Sequence, residues 1–141
     1  MRPDDTAAAG PHLHVACGII ERDGLVLAAQ RGAAMSLPLK WEFPGGKLKG
    51  GESPEDGLRR ELREELGIAV DLLERLPPST HRYPSFTVTL YPLRCVIASG
   101  VLTVHEHAAV RWLPRRELRS LDWAAADLPV IEDYLARRPG P

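Results

Sequence analysis

The chain has 141 residues and a mass of 15.5 kDa, with 44% hydrophobic and 26% charged residues, the make-up of one soluble globular domain with its own core. The 18 Lys and Arg residues against 19 Asp and Glu leave a net charge of -1, which excludes a protein that coats polymeric nucleic acid through bulk charge. No apolar run approaches the roughly 18 residues of a membrane span. The opening stretch, residues 1–11, is polar and rich in Ala and Pro with no signal-peptide core, so a cytoplasmic protein is expected. Cys17 and Cys95 sit in apolar runs and read as buried thiols, since two cysteines make neither a disulfide framework nor a zinc site.

Residues 1–12 and 137–141 read as loose tails around a single domain, 13–136. Residues 13–20 and 25–30 are apolar and β-prone, and the Asp23-Gly24 pair between them supplies a hairpin turn. A loop at 32–39 leads to a short strand at 41–43, which Pro44-Gly45-Gly46 breaks. A helix follows: Ser53 is the N-cap, Pro54 fits the first position, and Glu55 and Asp56 suit the positive end of the dipole. Leu58, Leu62 and Leu66 form its apolar stripe and Gly67 its stop, while Gly57 inside it implies close packing of another segment. Strands are expected at 68–76, 85–98, 101–104 and 108–113, and closing helices at 115–121 and 128–137. Strands outnumber helices, and the fold class is α/β (α+β), a mixed sheet covered by helices.

On the first helix Glu61, Glu64 and Glu65 share one arc of about 100°, and like charges at that spacing destabilise a helix unless a cation sits among them. Oxygen ligands suit Mg²⁺, with Mn²⁺ as a substitute. Glu52 can join from the preceding loop, and Arg60 can grip a neighbouring glutamate. The loop itself, Gly45-Gly46-Lys47-Leu48-Lys49-Gly50-Gly51, lets backbone approach a ligand. All three lysines of the chain, Lys40, Lys47 and Lys49, flank it. A carboxylate-bearing helix beside a glycine loop and clustered cations fits a metal-bound polyphosphate.

Gly46, Glu52 and the run Arg60-Glu61-Leu62-Arg63-Glu64-Glu65-Leu66-Gly67-Ile68 match the Nudix box at every specified position. A chance match in a chain this long is on the order of one in ten million. Trp41-Glu42-Phe43-Pro44-Gly45-Gly46-Lys47 resembles the lead-in of MutT-type nucleoside triphosphate pyrophosphohydrolases, and the Gln30-Arg31 pair, Glu106 before Trp112, and 127–131 lie at the family's distances. The resemblance implies the Nudix fold, a mixed β-sheet sandwiched between helices, in a monomer or homodimer that takes a nucleoside triphosphate as its partner.

The resemblance also implies roles. Glu61, Glu64 and Glu65 would hold the metal with a carbonyl of Gly45 or Gly46, and Glu106 would complete the shell or help activate water. Arg60 would orient the glutamates and Glu52 would support them. Water would attack phosphorus and release monophosphate and pyrophosphate, with Glu61, Glu65 and Glu106 all open as the base. Arg31 either contacts phosphate or nucleotide, or is an exposed strand-end cation. Lys47 either binds phosphate or keeps the loop soluble, and Trp41 and Phe43 either flank a base or pack in the core. His105 and His107 alternate on an expected strand opposite Glu106, as a metal pair or as plain polar residues. Asp127 stands where enzymes specialised for 8-oxo-dGTP often carry Asn. It either caps the last helix or reads the base. An ionised Asp only accepts, which suits the amine of CTP or dCTP, whereas the oxidised guanine of 8-oxo-dGTP also needs a donor toward O6.

Overall fold

The computed structural model describes residues 10–137. Strands β1 (His12–Arg22) and β2 (Leu25–Gln30) form the expected hairpin, and both turn residues, Asp23 (φ 52°) and Gly24 (φ 78°), are left-handed. That is the backbone a two-residue type I′ turn requires. The hairpin pairs only near its turn, at Glu21↔Val26 and Arg22↔Leu25. Beyond it, β2 pairs with β3 (Trp41–Glu42), and β1 takes a different partner, β4 (Gly45–Lys47).

The strand at 41–43 is broken as expected, β3 ending at Glu42 ahead of Pro44, but Gly45 and Gly46 then enter a new strand, β4, that was not expected. Both glycines are in register with β1, at Cys17↔Gly45 and Ala16↔Gly46, and a Cβ on Gly45 would overlap the Ala16 carbonyl. Missing side chains here permit pairing instead of preventing it.

Helix α1 (Pro54–Leu66) matches its sequence signals closely. Ser53 Oγ accepts the N–H of Asp56 at 3.1 Å, and Gly67 closes the helix at φ 69° with its N–H turned back to Arg63 and Leu62 carbonyls. Leu58, Leu62 and Leu66 are fully buried, each stabilising the fold by about 1.5–3 kcal/mol. Leu48 packs onto Gly57, leaving no space for a side chain there.

The sheet is completed by β5 (Ile68–Arg75), β6 (Ser79–Arg82), β7 (Thr87–Gly100) and β8 (Ala109–Pro114). Its order is β3-β2-β1-β7-β5, with β1 and β7 parallel and every other pair antiparallel. Strand β6 was not expected, because Ser79-Thr80-His81-Arg82 has no apolar alternation to announce it. The expected strand at 101–104 is absent: Val101 is 82% exposed, and residues 101–108 form a loop without regular structure. His105, Glu106 and His107 therefore lie in that loop, not along a strand. The helix expected at 115–121 is a short 3₁₀ helix, Arg115–Ser120, and another 3₁₀ turn, Ala125–Asp127, leads into α2 (Leu128–Ala136).

The two faces of the sheet build two cores. Ala16, Ile20, Leu27 and Leu93 pack under α1, whereas Cys17, Ile19, Val26 and Leu113 pack with Val130, Ile131 and Tyr134 of α2. Alternation along β1 thus sends successive residues into opposite layers. Both cysteines are buried and free, and burial pushes Cys95 up to about 12, so neither is a reactive thiol. No helix among the described residues is long and apolar enough to cross a membrane.

Candidate active site

Strand β4 and helix α1 meet edge to face, and Gly46 decides how closely. A Cβ there would overlap the carboxyl of Glu61, so only glycine lets that carboxyl lie against the strand backbone. Arg60 then organises what surrounds it. Its Nε and NH2 donate to the two oxygens of Glu52 at 2.7 and 3.0 Å, and its NH1 donates to Glu61 at 2.9 Å and Glu64 at 3.1 Å. A further bond from NH2 reaches the Lys47 carbonyl at 3.1 Å. One guanidinium therefore fixes the loop, the strand and the helix together.

Arg60 is the main reason Glu52 is held down at about 2, with the N–H of Lys49 helping. Both Glu52 oxygens accept bonds, so this side chain braces the loop. Glu64 leans outward and is 56% exposed, whereas Glu61 is only 16% exposed. Glu65 is the unusual member. Its Oε2 is buried and has no hydrogen-bond partner, and burial, followed by the charges of Glu106 and Glu61, raises its pKa. Three carboxyls from α1 and the 101–108 loop thus repel one another around an unpartnered oxygen.

A divalent cation fits that arrangement, because it relieves the repulsion and takes the free oxygen. Among the described residues no three His, Cys, Asp or Glu side chains form a ready-made chelating group. The all-oxygen donors favour Mg²⁺ or Mn²⁺ over softer ions.

The other expected residues divide. Asp127 is 5% exposed and caps nothing: its Oδ2 accepts the backbone N–H of Phe43 at 3.0 Å, and no side-chain bond to α2 is made. Burial pushes its carboxyl up to about 8, the Phe43 bond only partly opposing this. Phe43 is a core residue, 3% exposed and packed on Trp123 at 4.9 Å between ring centroids, and Trp41 is partly buried against the same cluster. Lys47 is exposed at the end of β4. Arg31 is not an exposed cation: it is 18% exposed, with NH1 donating to Glu42 at 2.9 Å and its Nε and NH2 donating to Ser36 at 2.6 and 2.9 Å.

Sequence reasoning missed two participants, Glu42 and Tyr83. Glu42 accepts from both Arg31 and His107, the latter at 2.8 Å, and Tyr83 OH accepts the N–H of Ala126 at 2.9 Å, steadying the turn before Asp127. Glu42 sits within the Trp41-Glu42-Phe43 motif, yet nothing in the motif tells which way its side chain points. His107 and His105 form no pair, since His107 turns inward to Glu42 and His105 is exposed. A cavity of about 600 Å³ lies away from these groups, at the hairpin end of the sheet among Glu21, Arg22, Leu73, Arg94, Arg115 and Tyr134. Within it Arg94 pairs with Glu21 and Glu74, Tyr134 OH donates to Glu21, and Arg22 and Arg115 lie over the rings of Trp112 and Tyr134.

The NUDIX domain family matches residues 10–134. The chain is 37% identical over 126 residues to the CTP pyrophosphohydrolase of Escherichia coli (strain K12), spanning 89% of this chain and 93% of that protein. It is 39% identical over 124 residues to the putative 8-oxo-dGTP diphosphatase 2 of Mycobacterium tuberculosis (strain ATCC 25618 / H37Rv), spanning 87% of each. The solution structure of the E. coli ORF135 protein superposes with a TM-score of 0.77 at 34% identity, covering 93% of this chain and 94% of that one. With the box residues gathered on α1 and β4, and with these relatives along nearly the whole chain, the protein belongs to the Nudix hydrolase family and is of the MutT type.

Proposed function

We propose that this hydrolase cleaves nucleoside 5′-triphosphates to the monophosphate and pyrophosphate with Mg²⁺, acting on modified nucleotides of the 8-oxo-dGTP kind. The observation that carries the hydrolytic reading is the buried, unpartnered Oε2 of Glu65 beside Glu61 and Glu106. A bound Mg²⁺ supplies charge neutralisation of the triphosphate and a more acidic water. Glu61, Glu64, Glu65 and Glu106, with a Gly45 or Gly46 carbonyl, are the groups that would hold it. Arg60 keeps Glu61 against Gly46, and the exposed Lys47 balances phosphate charge. Glu65 accepts the proton of the attacking water, because burial and the neighbouring charges of Glu106 and Glu61 raise its affinity for a proton.

Asp127 supports the choice of base. A carboxyl that titrates at about 8 is largely neutral at pH 7, and a neutral acid both donates and accepts. In that state it offers what Asn offers: acceptance of the N7–H of 8-oxoguanine and donation toward O6. A second reading, CTP or dCTP hydrolysis, is favoured by the ionised form of the same residue and by the 37% identity to a CTP pyrophosphohydrolase. Product-resolved chromatography with Mg²⁺ over dGTP, 8-oxo-dGTP, CTP, dCTP, 5-methyl-dCTP and dATP decides between them. The first reading expects 8-oxo-dGTP to lead in kcat/KM with release of pyrophosphate. Dominant cytosine nucleotides would select the second, and release of inorganic phosphate alone would overturn both.

A further inference from the structure

Residues 101–108 carry Glu106 yet have no regular structure. The backbone is tied by Thr103 N–H to the Leu66 carbonyl and by Ala108 N–H to the Gln30 carbonyl, both at 2.9 Å. Between these ties the inward side chain is His107, 6% exposed, while His105 and Glu106 beside it are exposed. A carboxylate can only accept, so the 2.8 Å contact means that His107 Nε2–H donates to Glu42 Oε2. Glu42 Oε1 takes Arg31 NH1 at 2.9 Å, and Arg31 grips Ser36, so the anchor is itself fixed. The next residue, Phe43, holds Asp127 through its N–H. His107 Nδ1, like Glu65 Oε2, is buried without a partner in the protein.

We propose that His107 is a positioning residue: pinned on Glu42, it sets the Glu106 loop against Glu61 and Glu65 and ties those carboxylates to the segment whose Phe43 N–H holds Asp127. The inference rests on the role given to Glu106 above. Among the described residues, His107 is the loop side chain that hydrogen-bonds to the sheet between these two ties, and displacing a reacting group by about 1 Å can lower a rate on the order of 100-fold. Partners that orient a metal-binding carboxylate are commonly worth about 10- to 100-fold.

Three variants separate this role from simple packing. The amide nitrogen of Gln lies as many bonds from Cα as His Nε2, whereas that of Asn corresponds to Nδ1. His107→Leu and His107→Asn should lower kcat about 10- to 100-fold with KM changed less than about 3-fold. In metal-free, nucleotide-free protein both should also speed amide hydrogen exchange across 101–108. His107→Gln should restore most of the rate and of the protection, with thermal unfolding showing all variants folded. Wild-type kcat and exchange in His107→Leu would overturn the proposal, as would His107→Gln behaving like His107→Leu. A fall in kcat with unchanged exchange would also overturn it, by placing His107 in the reaction itself. If the wild-type protein hydrolyses no nucleotide, the proposed function fails, and the exchange comparison still decides whether His107 anchors the loop.

Discussion

Replacing Asp127 with Asn should make the protein more stable above about pH 6, and increasingly so as pH rises. The folded-state carboxyl keeps its proton to about pH 8, whereas its ordinary value is 3.8. Between these values the folded protein binds more protons than the unfolded chain, so wild-type stability falls as pH rises through the window. A shift of about four units corresponds to on the order of 6 kcal/mol at about 1.4 kcal/mol per unit, fully expressed only above pH 8. The Asn side chain keeps an acceptor for the Phe43 N–H and carries no titrating proton. Its amide group needs a partner of its own, which costs about 1–3 kcal/mol independently of pH. Urea unfolding with EDTA, at half-unit steps from pH 4.5 to 9, reads the difference. The gap between Asn and wild type should widen up to about pH 8 and then level off. A constant gap across the range would refute the buried neutral acid, and with it the argument for a donor toward O6. The same titration predicts that kcat/KM for 8-oxo-dGTP falls above pH 8 in the wild type, whereas an enzyme reading cytosine through ionised Asp127 would gain there.

Glu65→Gln should lower kcat about 10²- to 10⁴-fold with an unchanged circular dichroism spectrum, because it removes the free carboxylate without changing shape; near-normal turnover would reject Glu65 as the base. Gly46→Ala should displace Glu61 and lose activity by a similar factor while β4 stays paired with β1, with kcat and thermal melting as the measurements. Leu62→Ala removes a fully buried side chain from the α1 core and should cost about 2–5 kcal/mol in urea unfolding. Chelation with EDTA should abolish hydrolysis and added Mg²⁺ should restore it, followed by pyrophosphate release.

The sequence by itself determined whatever depends on neighbours along the chain. Helix α1 is legible from Ser53 to Gly67 because capping, dipole and stripe are all set within a few residues. The Asp23-Gly24 turn is legible for the same reason, and so is the grouping of Glu61, Glu64 and Glu65 on one helical arc. The box residues identified the family because their spacing is itself local.

Tertiary structure decided what depends on residues distant in sequence. Glycines that read as a break became strand β4, because β1 lay close enough to pair with them. Thr80 and Arg82 joined a strand that only β7 could supply. Glu106 met Glu65 from a loop, and His107 met Glu42 across 65 positions, contacts that no periodicity encodes. Arg31 was drawn into an ion pair, and Asp127 was buried with its Oδ2 on the Phe43 N–H, where burial keeps its proton on to about pH 8. The division has one cause: local backbone preference acts over a single turn, whereas burial and charge are set by whatever the folded chain brings alongside.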